Sequence, residues 1–200
     1  MAFDAPTFDD KAALLVVDVQ NDFADPKGDL SVRGGQAVIP FVNEQIEGAR
    51  SAGAFVVYSQ DWHPESTPHF EKDGGIWPVH CVAGTWGAEL HPDLAVHEDA
   101  AFLKKGTGGE DGYSVFTVRD PRTGAQESTE LERILRENGV ERLVVVGLAT
   151  DYCVKETALD ARRLGFPVRV LRRAIAGVDL QAGDGDRALE EMERAGAVVE

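Results

Sequence analysis

The stretch of sequence that decides the fold is LVVVGLATDYCVKETALDARRLGFPVRVL, residues 143–171. It opens with an unbroken apolar run at 143–146, passes through a glycine-containing turn into a helical pattern at 154–164, and ends in a second apolar run at 168–171. Short unbroken apolar runs are typical of strands buried on both faces, and two parallel strands need a crossover between them. The stretch therefore predicts a βαβ unit.

The same alternation extends along the rest of the chain. Gly53, Gly139 and Gly165 follow helical patterns and suit left-handed helix ends, with a strand-like run close behind each. Together these patterns predict a parallel α/β fold in a single domain that spans residues 1–200. The other strand-like runs lie at 14–17, 55–58, 101–103 and 197–199, and the other helical patterns at 36–52, 128–138 and 184–195.

Composition and charge exclude several classes of protein. The 200 residues are 43% apolar, which is enough to form a globular core. The formal net charge of −15 argues against binding to nucleic-acid phosphates or anionic lipid, and no apolar run approaches the roughly 20 residues that span a bilayer. Two cysteines fit a reducing compartment, and residues 1–6 lack the pattern of a secretory signal. We expect a cytoplasmic protein without nucleic-acid or membrane partners, and a homo-oligomer is compatible with the sequence.

Two stretches show neither helical nor strand periodicity. Residues 60–99 are rich in His, Pro, Gly and Trp, and loops of this length in a compact domain are usually functional. Residues 106–122 contain a glycine cluster and are candidates for a lid. The chain has neither the glycine spacing of a dinucleotide fingerprint nor that of a phosphate-binding loop, so nothing supports nucleotide binding.

Polar residues follow or end four of the apolar runs. These residues are Asp18, Asp61, Lys105 and Cys153. Because ligands bind beyond the carboxyl ends of parallel strands, we expect the four side chains to meet at one edge of the sheet. Lys104 is the competing lysine, and the glycine that follows Lys105 favours the latter.

Each of these residues has a chemical and a structural interpretation. Cys153 opens a helix whose amino end can lower a thiol pKa and donate to an oxyanion, with Thr150 and Asp151 able to cap it; the alternative is a small buried apolar side chain. Asp18 is a general base or a carboxylate that turns the chain. Lys105 either stabilises a thiolate or is a surface charge.

Asp61, His63, His69 and His80 form a second group in the first irregular stretch. Asp61 and His63 are two residues apart, so on an extended segment they point the same way. One carboxylate with two or three imidazoles suits zinc, iron or manganese, with open positions for a substrate. The alternative is a set of solvated loop histidines, which is our interpretation of His91 and His97.

Aromatic residues lie in or beside these loops. Phe23, Trp77, Trp86 and Tyr113 can form the walls of an apolar slot for a flat ring. Alternatively, they pack the loops against the domain.

Five blocks of sequence resemble a known family. They are DVQNDF (18–23), DWH (61–63) with His69 nearby, WPVHCVAGT (77–85), KG (105–106) and GLATDYCV (147–154). Each block alone is weak, but together and in this order they are similar to the nicotinamidases of the isochorismatase-like cysteine hydrolase family. The resemblance runs from residue 12 to the end of the chain.

The resemblance implies a three-layer α/β/α fold with a mainly parallel, roughly six-stranded sheet. It implies a triad of Asp18, Lys105 and Cys153, with the Ala149 and Cys153 amides as the oxyanion hole after a cis peptide bond before Ala149. The resemblance also implies a divalent metal bound by Asp61, His63 and His80, with His69 as a further ligand in some members. It implies a substrate pocket lined by Phe23, Trp77, Tyr113 and Ala149.

The implied activity is hydrolysis of nicotinamide to nicotinate and ammonia, a step of NAD salvage, and we expect activity on pyrazinamide as well. Tyr152 departs from the family pattern because many relatives carry histidine or another aromatic there, and residues 117–126 resemble an insertion loop. Three alternatives remain at this stage: an amidohydrolase of carbamoyl or ureido substrates, an isochorismatase that acts on a vinyl ether, and a non-catalytic metal-binding protein that docks a basic partner.

Overall fold

A computed structural model describes residues 7–200 of the chain. Residues 1–6, on which the prediction about a secretory signal rests, lie outside the described residues. The strands are β1 (Ala12–Val17), β2 (Phe55–Asp61), β3 (Ala101–Lys105), β4 (Thr117–Arg119), β5 (Gln126–Ser128), β6 (Arg142–Leu148), β7 (Val168–Ala176) and β8 (Val198–Val199). The α-helices are α1 (Asn21–Ala24), α2 (Gly35–Ser51), α3 (Leu131–Glu137), α4 (Lys155–Arg163) and α5 (Asp184–Arg194).

Six strands form one parallel sheet in the order β3-β2-β1-β6-β7-β8. The prediction of a six-stranded parallel sheet flanked by helices is confirmed. The chain builds one half of the sheet outward from β1 through β2 and β3, then returns to β6 and builds the other half. The crevice at the carboxyl ends of β1 and β6 is therefore the topological switch point, where ligands bind in such sheets.

Burial of both faces of the sheet follows from alternation along the central strand. Leu14 and Val16 face the core that α2 covers, whereas Leu15 and Val17 face the core covered by α3, α4 and α5. Each neighbour along β1 therefore points into a different apolar layer. This explains why β1 is an unbroken apolar run rather than an alternating one.

Two predictions about residues 117–138 are wrong. The segment interpreted as a loop contains an antiparallel hairpin in which Thr117 pairs with Ser128. Because Ser128 is held in β5, the helix predicted from residue 128 begins at Leu131, whose N–H donates to Thr129 Oγ1 at 3.2 Å.

In the part of the chain from residue 7 onward, every helix is too short or too polar to cross a bilayer.

Candidate active site

Three strand ends bring an acid, a lysine and a thiol together. Asp18 follows β1, Lys105 is the last residue of β3, and Cys153 lies in a π-helical turn after β6. Lys105 Nζ is 2.9 Å from Asp18 Oδ2 and 3.5 Å from Cys153 Sγ. All three side chains are buried.

The backbone and a serine fix the position of Asp18. Its φ of +48° turns the chain away from the sheet immediately after β1. Ser59 Oγ–H, on the neighbouring strand β2, donates to Asp18 Oδ1 at 2.7 Å. This bond stabilises the carboxylate form and aims its second oxygen at Lys105.

Lys105 is the cation of the cluster. Its ammonium lies between the carboxylates of Asp18 and Asp61, and also donates to Gly112 O at 3.3 Å. Burial opposes the charged form, but the two carboxylates raise the pKa of Lys105 well above its usual value. Lys104 points away from the cluster, and its ammonium lies 3.3 Å from the centroid of the Trp62 ring.

Burial controls the protonation of the thiol. It raises the pKa of Cys153 well above its ordinary value, and this effect outweighs the opposing influence of the Lys105 ammonium. Burial therefore dominates the pKa of this thiol, and the predicted lowering by the helix amino end stays a prediction. Burial also raises the pKa of Asp18, although Lys105 opposes it. Cys153 thus carries its proton in the free protein, close to a carboxylate of increased basicity.

The turn after β6 depends on a glycine. Gly147 has a φ of +110°, and a Cβ there would lie 2.1 Å from Val17 O, so only glycine fits beside β1. The Leu148–Ala149 peptide bond is cis, as the resemblance implies. The prediction that Asp151 caps the helix is wrong, because its carboxylate accepts the N–H groups of residues 178 and 179 at 2.9 and 2.8 Å.

The three predicted histidines lie together, and we call them the histidine group. His63, His69 and His80 each offer a ring nitrogen within 4.8 Å of the others. His80 Nδ1–H donates to Pro78 O at 2.7 Å, which leaves Nε2 as its free lone pair. His69 Nδ1–H donates to Asp111 Oδ1 at 2.8 Å, with the same consequence.

Asp61 links the two groups. One of its carboxylate oxygens contacts Lys105, and the other lies 3.7 Å from His63 Nε2. Burial is the largest influence and opposes ionisation, but the Lys105 ammonium and then His63 hold the pKa of Asp61 well below its usual range. Asp61 is therefore ionised and faces both groups.

The histidine group fits a divalent metal. Within the described part of the chain, both ring nitrogens of His63 are buried without a hydrogen-bond partner, and buried polar atoms normally have one. Burial lowers the pKa of His80 to about 4, so its imidazole is neutral at pH 7, the form that binds metal. Neutral imidazoles with a carboxylate suit zinc, iron or manganese.

The other two histidines differ from the prediction that both are solvated. His91 is buried: its backbone N–H donates to Val19 O at 2.9 Å, in the segment that follows β1, and its Nδ1 accepts the Asp93 N–H at 3.1 Å. His97 is partly exposed and contacts Glu47 at 3.1 Å. Neither belongs to the histidine group.

A cavity lies between the two groups. Trp77 Nε1–H donates to Tyr113 OH at 3.0 Å, and the Trp77 ring meets Tyr152 edge-on with centroids 4.9 Å apart. Trp86 is half-exposed and lies outside the cavity. The predicted residues that line the cavity are Phe23, Asp61, His69, Trp77, His80, Tyr113, Ala149 and Cys153, and Leu30, Tyr152 and Val178 join them.

Sequence reasoning missed three supporting residues. Gln20 donates to Asp61 O at 2.7 Å and accepts the Asp61 N–H at 2.8 Å, so it holds the backbone of that residue from both sides. Ser59 and Asp111 hold Asp18 and His69. Gln20 lies within the DVQNDF block and carried a signal, whereas Ser59 and Asp111 meet their partners only through the fold.

The fold and this site define a class of hydrolases with a three-layer α/β/α fold and a thiol, an acid and a lysine at one edge of the sheet. The Isochorismatase domain matches residues 12–200, and the chain belongs to the isochorismatase family.

Relatives and solved structures agree with this assignment. The chain is 39% identical to a nicotinamidase of Escherichia coli, with 94% of this chain and 93% of the relative covered. The chain is 43% identical in sequence to a pyrazinamidase of Pyrococcus horikoshii. The crystal structure of that protein in complex with zinc matches this fold with a TM-score of 0.85, with 95% of this chain and 98% of that chain covered. The structure of PnC1 from L. infantum in complex with nicotinate is 36% identical, with a TM-score of 0.86 and coverage of 98% and 95%.

Proposed function

We propose that this chain is a metal-dependent cysteine amidohydrolase that converts nicotinamide to nicotinate and ammonia, and that it also hydrolyses pyrazinamide. The observation that carries the proposal is that Cys153, His69 and His80 line one aromatic cavity, and that His63 offers a ring nitrogen within 4.8 Å of those of the other two histidines. The similar proteins support it, because their names give nicotinamidase and pyrazinamidase activities, one with zinc and one with nicotinate. We place this activity in a single domain, residues 1–200, that serves NAD salvage in the cytoplasm.

In the proposed reaction, Asp18 is the general base. Its carboxylate takes the Cys153 thiol proton while Sγ attacks the carboxamide carbon, so proton and negative charge leave the sulfur together. The raised pKa of Cys153 favours this order, because a free thiolate would be costly in the buried site. The Lys105 ammonium, 3.5 Å from Sγ, stabilises the charge that develops.

The amides of Ala149 and Cys153 are the proposed oxyanion donors. Negative charge develops on the amide oxygen as Sγ bonds to the carbon, and preformed N–H donors stabilise it. Asp18 then returns its proton to the nitrogen, the carbon–nitrogen bond breaks and ammonia leaves. A thioester remains on Cys153. Asp18 next deprotonates a water molecule that attacks this thioester, and passes that proton to Sγ as the carbon–sulfur bond breaks and nicotinic acid leaves, which releases its remaining acidic proton to solvent as nicotinate.

Asp61, His63 and His80 would hold a divalent metal, with His69 as a further ligand. When bound, the cation supplies a Lewis acid that binds the pyridine ring nitrogen and positions the substrate. The choice between zinc, iron and manganese belongs to the proposal, since the ligand types suit each. Phe23, Trp77 and Tyr113 would pack around the ring.

Three alternatives compete with this proposal. A carbamoyl or ureido amidohydrolase needs the acid, lysine and thiol, but has no use for three clustered imidazoles, two of which line the same cavity as Cys153. A non-catalytic metal-binding protein has no use for a buried Cys153 beside Asp18 and Lys105. A vinyl-ether isochorismatase likewise needs no thiol.

The test is ammonia release from nicotinamide by the purified protein. We expect release by the wild type, a loss of at least about a thousandfold in Cys153→Ala, and a strong loss after chelation that zinc, iron or manganese restores. Cys81→Ala is the matched control, because Cys81 is buried outside the cavity lining and its removal should preserve turnover. Equal release by wild type, Cys153→Ala and the chelated protein would refute the proposal.

A further inference from the structure

His69 is held in a different way from the other two histidines. His80 donates to a backbone carbonyl two residues away, and His63 has no hydrogen-bond partner on either ring nitrogen among residues 7–200. His69 instead donates to the Asp111 carboxylate, which lies 42 residues further along the chain. The orientation of His69 therefore depends on a charged side chain from the second irregular stretch.

Asp111 is itself fixed on its other side. Its Oδ2 accepts from Arg119 at 3.0 Å, and the two residues exchange backbone hydrogen bonds of 2.7 and 2.6 Å. Arg119 is the last residue of β4, so the β4–β5 hairpin holds Asp111 in place. A chain of contacts thus runs from the hairpin through Arg119 and Asp111 to His69.

The same two segments also meet at a second point. Thr67 Oγ–H donates to Gly109 O at 3.2 Å, and the same oxygen accepts the His69 N–H at 3.3 Å. The loop that carries His69 is therefore tied to residues 109–111 by the Thr67 hydroxyl and by the His69 ring. A carboxylate on one imidazole nitrogen fixes the tautomer and increases the basicity of the other nitrogen, which strengthens metal binding.

We propose that Asp111 is a positioning residue that recruits His69 as a third imidazole ligand, with Arg119 anchoring Asp111. This inference rests on the proposed metal site. It gives the β4–β5 hairpin a role in metal affinity although the hairpin does not line the cavity. It also specifies that Nε2 of His69 is the ligand atom, because Nδ1 carries the proton donated to Asp111.

The experiment measures zinc affinity of the metal-free protein by competition with a chromophoric chelator, without any activity assay. We expect Asp111→Asn to weaken zinc binding about 10- to 100-fold. Glu110→Gln is the matched control: it removes the same charge from the same loop, but the wild-type Glu110 carboxylate accepts the Gly108 N–H within that loop, at 2.7 Å, and does not support a histidine. It should bind zinc as the wild type does. Arg119→Met should give a smaller loss than Asp111→Asn.

A double-variant cycle shows whether Asp111 acts through His69. In a His69→Ala background, Asp111→Asn should cause no further loss of zinc affinity. Nitrogen-15 NMR of the histidine rings gives a second readout, with His69 as the Nδ1–H tautomer in the wild type and a mixture of tautomers in Asp111→Asn. Thermal unfolding identifies any variant that fails to fold. The NMR measurement of the His69 tautomer in the wild type tests the inference even if a variant does not fold.

The outcomes separate this inference from the function on which it rests. If the wild type binds no zinc, iron or manganese, the proposed metal site is refuted. If the wild type binds zinc and His63→Ala does not, but Asp111→Asn binds as tightly as Glu110→Gln, the metal site stands and the role of Asp111 is refuted. An equal loss from Asp111→Asn with and without His69 would likewise overturn it.

Discussion

The acid, lysine and thiol stand at or just beyond the carboxyl ends of three parallel strands, β1, β3 and β6, whereas the three histidines stand on the irregular stretch between β2 and β3. We call the first group the thiol side (Asp18, Lys105 and Cys153) and the second the histidine side (His63, His69 and His80). On the thiol side, sheet register sets the distances and opposite charges compensate each other inside the core. On the histidine side, each ring needs a support of its own, from Pro78, Asp111 or the close approach of Gly106.

The comparison shows two ways to preorganise a site. Regular strands place side chains through the backbone ladder, so the thiol side needs few auxiliary residues. Irregular chain has no ladder, and its groups are positioned by side-chain hydrogen bonds and by packing. Perturbing the thiol side should therefore affect mainly stability and chemistry, while perturbing the histidine side should affect mainly metal affinity.

The largest effect is expected from Lys105→Met. Without the ammonium, the carboxylates of Asp18 and Asp61 are buried with no cation, which we expect to lower the free energy of unfolding by about 3–5 kcal/mol at pH 7. Urea denaturation measures this change. Lys104→Met is the matched control, because this neighbouring lysine only contacts the Trp62 ring, and its stability should stay close to that of the wild type.

Adding Asp18→Asn to the Lys105→Met protein should restore part of the lost free energy of unfolding, because it removes one buried carboxylate that has no compensating cation. If Lys105→Met is as stable as Lys104→Met, the buried charges do not hold the thiol side together.

Gln20→Leu should give the next largest effect. It leaves the Asp61 N–H and C=O without their side-chain partner, and each unsatisfied buried group costs about 1–3 kcal/mol of stability. Gln60→Leu is the control. The Gln60 side-chain amide donates to Ala88 O, a carbonyl that Gln20 also contacts, but it makes no hydrogen bond to Asp61. We expect both variants to lose stability in urea, but only Gln20→Leu to lose zinc affinity. Equal zinc affinities would show that Gln20 does not position Asp61.

A smaller and more selective effect is expected from Gly106→Ala. The new Cβ would lie 2.6 Å from His63 Nδ1 and displace that ring, so zinc affinity should fall about tenfold or more. Gly109→Ala has a similarly positive φ, but its Cβ would meet Thr67 Oγ1 at an ordinary 3.7 Å. Both variants should lose about 1 kcal/mol of stability from backbone strain, and only the first should bind zinc weakly. Competition with a chelator measures the zinc affinity of both variants, and equal zinc affinities would contradict the packing role of Gly106.

The smallest effect concerns the pH profile of the thiol side. The pKa of Asp18 is raised above its ordinary value of 3.8 by burial, so kcat/KM should fall on the acid side at a higher pH than an exposed aspartate would give. Ser59 donates to the carboxylate and opposes this rise. Ser59→Ala should therefore raise the pKa further and move the acid limb to higher pH, with little change in kcat/KM on the plateau. A limb that stays in place or moves to lower pH would argue against Asp18 as the base.

Much of the fold could be predicted because the strands are short apolar runs separated by helical patterns. The runs at 14–17, 55–58 and 143–146 all fall inside observed parallel strands. The hairpin at 117–128 escaped prediction because its strands are three residues long and largely exposed, so they carry no apolar pattern.

The sequence predicted more of the thiol side than of the histidine side. Asp18, Lys105 and Cys153 follow or end strands, and parallel topology alone brings them to one edge. The four metal-ligand candidates were visible as residue types, but their partners were not. Asp111 is one acidic residue among many in the sequence, and only the turn of the second irregular stretch brings it to His69.

The sequence by itself determined the α/β architecture, the chemical groups available and the edge of the sheet at which they meet, because periodicity and strand ends are local properties of the chain. Only the tertiary structure decided that the Cys153 thiol holds its proton, that Asp61 faces both groups, and that Gln20, Ser59 and Asp111 support them. Burial and charge pairing arise from segments far apart in the chain, and they set pKa values and hydrogen-bond partners that no local pattern contains.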